Sequence, residues 1–121
     1  MKRSWLLSAF VAVMFGCSNP LPTIDGVDLS AWKDDRQGCL GKRTPFEETV
    51  RAQRDKLKGL AEMDVVKLLG RPDRNDLSER NEKYYFYFFD PSPACDGGDS
   101  TATKLIIRFN ATGVSKEVAI E

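Results

Sequence analysis

The sequence predicts an α+β domain: two N-terminal helices packed on an antiparallel meander sheet of three to four strands, in two layers. Two observations carry that prediction. Apolar side chains recur at helical spacing between residues 44 and 69, in two stretches that each end at a glycine. Past Pro72 the period drops to two, and residues 83–89, 104–109 and 114–120 read as strands. Helices followed by strands give a sheet with its apolar layer on one side.

In chain order, residues 29–36 are expected to form a short helical turn capped by Ser30, which places Trp32 against the domain. The first full helix starts at Thr44, where Thr44 and Glu47 match a capping box and Pro45 takes the first helical position. Phe46, Val50 and Leu57 form its apolar stripe, with Glu48, Arg51, Arg54 and Lys58 elsewhere, and Gly59 ends it. The second helix covers residues 62–69, turning inward either Met63, Val66 and Leu69 or Val65 and Leu68. Gly70 suits the left-handed position after a helix, and Pro72 prevents continuation. Residues 73–79 are a weak, polar candidate for a short edge strand. Residues 83–89 are a strong strand, with Tyr84, Phe86 and Phe88 on one face and Tyr85, Tyr87 and Phe89 on the other. Asn110-Ala111-Thr112-Gly113 marks a tight turn into the last strand.

The linker 90–103 is rich in Pro, Gly, Asp and Ser and is longer than a usual hairpin loop. It contains Cys95, whose expected partner is Cys39 in a glycine-bracketed loop before the first helix. In an oxidising compartment such a pair forms a disulfide, which would pin the linker to the N-terminal segment. With no histidine and no CxxC, a metal or reactive-thiol role for the pair is disfavoured.

The N-terminus gives the address. Lys2 and Arg3 precede an apolar run from Trp5 to Phe15, about half the roughly 20 residues that a membrane-spanning helix requires. Met14-Phe15-Gly16-Cys17 then occupies the cleavage-site slot and looks like the lipobox of bacterial lipoproteins. The expected organisation is a signal peptide over 1–16, Cys17 as the lipid-bearing N-terminus, a flexible tether over 17–28 and one domain over 29–121. Ser18 is not the Asp associated with inner-membrane retention, so sorting favours the outer membrane, with the domain facing the periplasm. Loss of Lys2 and Arg3 leaves 16 basic against 18 acidic residues. That balance gives no electrostatic footprint for nucleic acid and no polybasic membrane patch, so the lipid does the anchoring.

No catalytic constellation is present. The commonest general base is missing, and no GxSxG, Walker or HExxH pattern occurs. Asp96, Asp99 and Ser100 lack calcium-loop spacing, so no enzyme activity, cofactor or metal is expected. The suggestive feature is the strand 83–89, aromatic on both faces. One face must be core. The other either lies beneath the N-terminal segment with Trp32, or serves as a protein-binding surface, for which Tyr85, Tyr87 and Phe89 are the candidates.

From Leu60 onward the layout is specific. Gly59-Leu60 precedes a helix ending Val65-Val66-Lys67-Leu68-Leu69-Gly70-Arg71-Pro72, followed by a polar segment, the aromatic strand, a loop, and Leu105-Ile106-Ile107-Arg108-Phe109-Asn110-Ala111-Thr112-Gly113-Val114. This resembles the SmpA/OmlA (BamE-like) family of small lipoproteins of the outer-membrane β-barrel assembly machinery. The segment around Trp32–Cys39 and the Cys95 loop are departures from the family pattern. The resemblance implies a non-enzymatic, lipid-anchored outer-membrane lipoprotein whose periplasmic domain binds protein in support of envelope or β-barrel assembly. The alternative function, in a different class, is an inhibitor-like or ligand-sensing periplasmic domain using the aromatic face or the Cys95 loop.

Overall fold

The structure is a computed structural model and describes residues 20–121. Cys17 and the leader lie outside the described residues. Among these, the first element is α1, Leu29–Asp34. Its cap is Asp28 rather than Ser30: the Asp28 carboxylate accepts from the backbone N–H groups of Ser30 and Ala31. A carboxylate reaching two unpaired N–H groups, next to the positive end of the helix dipole, outcompetes a neutral hydroxyl two residues later.

The expected helix from Thr44 to Lys58 is segmented. A 3-10 turn over Thr44–Phe46 leads into α2, Glu47–Gln53, and a second 3-10 turn follows over Arg54–Leu57. No side-chain cap forms at this start. Instead the Thr44 hydroxyl donates 2.9 Å to the Phe89 carbonyl, tying the turn to the end of a strand. Helix α3, Glu62–Leu69, matches its predicted span, and Gly70 follows at φ 81°. It buries Val65, Leu68 and Leu69, while Met63 is exposed.

Four strands follow: β1 Arg74–Leu77, β2 Lys83–Phe88, β3 Lys104–Phe109 and β4 Ser115–Ile120. They form one antiparallel sheet in the order β1-β2-β3-β4, the predicted meander. The β1–β2 hairpin closes through Ser78 N–H to Glu82 O at 2.8 Å, with Asn81 at φ 61° supplying the left-handed residue of a three-residue turn.

One face of the sheet carries the core. Tyr85, Tyr87, Phe89, Leu105, Ile107, Phe109 and Val118 pack with Trp32, Val50, Leu57, Val65, Leu68 and Leu69. Residues 23–27, expected as part of the tether, also belong to this layer. Ile24 is buried, and Gln53 exchanges hydrogen bonds with the Asp25 backbone at 2.8 and 2.7 Å.

Candidate functional site: the open sheet face and its clamp

The structure corrects which aromatic face is buried. Tyr85, Tyr87 and Phe89 lie in the core, the last two with no exposed surface, and are not available as a binding surface. Trp32 packs on this same face, edge-on to Phe89 at 5.3 Å between centroids and tilted toward Tyr87 at 6.3 Å. The N-terminal segment therefore joins the helix layer and does not cover the other side of the sheet. Both phenols find partners as they enter the core. Tyr87 donates 2.8 Å to the Gly70 carbonyl and Tyr85 donates 3.1 Å to the Glu62 carboxylate.

Burial pushes the Tyr85 phenol up to about 12, with the nearby Glu62 charge adding to the effect, and burial pushes Tyr87 up as well. A tyrosine pKa near 10 in the unfolded chain and higher in the native state means the native state holds its proton longer. Stability is then complete below pH 10 and falls as pH rises through the native value. The expected result is alkaline unfolding that sets in above pH 10, with a shallower pH slope in Tyr85→Phe. Urea midpoints measured between pH 8 and pH 12 check it.

The face opposite the helices carries Tyr84, Phe86 and Phe88 on β2, Ile106 on β3 and Ala119 on β4; Phe86 and Phe88 are buried here too, and Tyr84, Ile106 and Ala119 are half-buried. Charges frame it. Arg74 lies over the Phe86 ring at 4.5 Å, and its Nη2 sits 2.6 Å from Asp76 Oδ2. Hydrogen bonds from Arg74 hold the Asp76 carboxyl below its usual range. Arg108 bridges Glu82 at 3.4 Å and Glu117 at 3.0 Å. Two shallow grooves flank the Tyr84–Phe86 ridge. One, of about 320 Å³, is lined by Asp76, Leu77, Ser78, Tyr84 and Phe86. The other, of about 290 Å³, runs over Ile106, Arg108 and Ala119. Phe88, at the far end, sits beside Pro93 and Ala94 of the linker.

The linker itself is clamped. Cys39 and Cys95 form a disulfide with Cα atoms 5.5 Å apart. Beside it, Ser92 N–H donates to the Gln37 carbonyl at 2.9 Å and Ser92 Oγ to Gln37 Oε1 at 2.7 Å. Gly38 has φ 68°, and a Cβ there would lie 2.6 Å from the Asp90 carbonyl oxygen, so the close crossing of the two segments requires glycine.

Next to the disulfide is a feature with no local sequence signal. Asp73, just before β1, has no exposed side-chain surface and accepts from Arg43 Nη1 at 2.6 Å, Gln37 N–H at 3.0 Å and Phe88 N–H at 2.8 Å. Arg43, equally buried, also donates to the Trp32 and Phe88 carbonyls and stacks 4.8 Å from the Trp32 ring centroid. Asp35 supports the turn by accepting from the N–H groups of Leu40, Lys42 and Arg43. These groups hold the fold together: the Asp73 and Asp35 carboxylates each accept three of the hydrogen bonds named, and Asp73 borders the shallow space of about 250 Å³ beside Phe88. Among the described residues, no group of three or more His, Cys, Asp or Glu is placed to hold a metal ion.

The sequence of a known family covers the half of the chain that builds α3 and the sheet. A family model described as "Outer membrane protein assembly factor BamE domain" matches residues 55–119, more than half of the 121 residues. The chain belongs to this family. The BamE match includes α3, β1 to β3, β4 up to Ala119, and Cys95, while Trp32, Cys39 and Arg43 lie before it. The disulfide and the Arg43–Asp73 pair are thus both bonds between the BamE domain and the segment preceding it. Neither a curated protein nor a solved structure matches the chain.

Proposed function

We propose that this chain is a lipid-anchored outer-membrane lipoprotein whose periplasm-facing BamE domain binds protein in support of outer-membrane protein assembly. The family match over residues 55–119 carries the reading. The leader ending in Cys17 supports the anchor, with the lipid on Cys17 as the attachment. Among the described residues no helix is long and apolar enough to cross a membrane, which is compatible with an anchor of that kind. The binding surface is assigned to the half-buried Tyr84, Ile106 and Ala119 and the grooves beside them, where an aromatic side chain framed by arginines has the composition of an interface anchor.

In-cell crosslinking followed by mass spectrometry tests this. The expected partners are outer-membrane barrel-assembly components, captured through residues of the open face. Their absence in a strain making normal levels of the protein would sink the reading. Mass spectrometry of the mature N-terminus tests the anchor separately: diacylglycerol on Cys17 is expected, and an unmodified N-terminus elsewhere overturns it.

A further inference from the structure

The two edges of the sheet are treated differently. At β4 the outer edge is partly covered by its own chain: Ala61 bridges Val114, Gly59 N–H donates to Ser115 O, and Ser115 N–H donates to Leu60 O. At β1 nothing pairs with the outer side among the described residues, since β1 is the terminal strand. The hairpin bond from Ser78 N–H to Glu82 O sets the alternation, so with Asp76 opposite Tyr84 and Arg74 opposite Phe86, those pairs bond inward. The N–H and C=O groups of Asn75 and Leu77 consequently point away from the sheet.

Natural sheet edges are usually blunted by charge or brevity, and β1 is short. Its charges, however, are spent on each other: Arg74 and Asp76 close a 2.6 Å pair on the open face and leave the edge electrically neutral. Leu77 is 66% exposed at that edge, the most exposed large apolar side chain among the described residues. Leu77 pairs with Lys83, so its side chain lies on the helix side of the sheet, while the groove of about 320 Å³ between Asp76, Ser78, Tyr84 and Phe86 opens on the other side of the same edge. Unpaired backbone groups in an extended row select an extended strand, and an adjoining apolar groove selects its alternate side chains.

We infer that β1 is a docking edge for an uncharged, extended strand with alternating apolar side chains, one of them seated in the Tyr84–Phe86 groove. This rests on the assembly reading above, because outer-membrane barrels are built of strands that alternate apolar and polar residues and carry aromatic girdles. Before a barrel closes, its terminal strands have unpaired edges of the same kind. The occupant is such a strand, and a second copy of this chain is the competing occupant.

The test titrates the purified mature chain with a synthetic ten-residue peptide alternating Thr with Val and Phe, against a peptide of equal composition with the alternation scrambled. Backbone amide exchange is followed by NMR. The expected result is exchange slowed at least tenfold at Asn75 and Leu77, none at Val118, and no effect of the scrambled peptide. Asn75→Pro removes an outward N–H without touching the β2 pairing and should weaken peptide binding at least tenfold. Tyr84→Lys, which places a charge in the groove and keeps the backbone intact, should do the same if the proline variant folds poorly. Peptide binding without protection of those amides overturns the proposal, as does unchanged affinity in both variants. Concentration-dependent protection in the free chain, marking self-pairing, also overturns it. If the edge fails these tests while crosslinks to assembly components persist, strand docking alone is refuted; loss of the crosslinks in the unmodified chain refutes the assembly reading itself.

Discussion

Replacing Asp73 with Ala should destabilise the domain by about 3–5 kcal/mol, the cost of stranding a buried charge by removing its partner. The N–H groups of Gln37 and Phe88 lose their acceptor, and the Arg43 guanidinium loses its counter-charge, keeping only the Trp32 and Phe88 carbonyls. Arg43 has no exposed surface through which water could compensate, and its Nη2 already lacks a partner. For a domain whose whole stability is on the order of 5–15 kcal/mol, the loss is a large fraction. Asp73→Asn keeps an oxygen acceptor and the packing volume but not the charge, so a smaller loss is expected. Replacing both partners, as in Arg43→Met with Asp73→Leu, should recover part of the loss, because the desolvation cost of both ions disappears along with their attraction. Urea unfolding of the four proteins checks the series. A cost below about 1 kcal/mol for Asp73→Ala would mean that the pair contributes no more than an exposed one.

That pair also marks the boundary of what was legible from residues in order. The meander and α3 were readable because their signals are local. A period of two runs through β2 and β3, and Gly70 with Pro72 closes α3 where the apolar stripe ends. The disulfide was readable because the two cysteines left after Cys17 admit one pairing. Arg43 and Asp73 stand 30 positions apart, and each taken alone looks like an ordinary surface charge. Only the sheet brings them together.

The aromatic strand failed differently. Alternation divides β2 into two sets but cannot say which set faces the helices when both are aromatic. The answer came from long-range contacts, with Trp32 against Tyr87 and Phe89. At α1 the misreading was local competition: Asp28 and Ser30 are both good caps, and the carboxylate won by reaching two N–H groups. At Thr44 the capping-box pattern was present, but its hydroxyl found the Phe89 carbonyl instead. Tertiary partners overrode a local motif in that case.

Removing the disulfide, with Cys39→Ser and Cys95→Ser together, should cost about 4 kcal/mol on the chain-entropy account for a loop closed over a separation of 56 residues. The native contact should survive the loss, because Ser92 still bonds Gln37 twice and Arg43 still reaches Asp73. The destabilised protein is therefore expected to fold with unchanged near-ultraviolet circular dichroism and a lowered urea midpoint, measured against the unmodified chain under oxidising conditions. A cost near zero would mean the unfolded chain is already held compact, leaving the cross-link little entropy to remove. The disulfide and the buried ion pair both fasten the segment bearing Trp32 to the BamE domain, so their effects should not add. Without the disulfide, the segment opens more readily in local fluctuations, and Asp73→Asn then acts on a contact that is already partly released. Its cost should shrink in the disulfide-free background. Additive costs would instead show that the segment and the sheet unfold only as one cooperative unit.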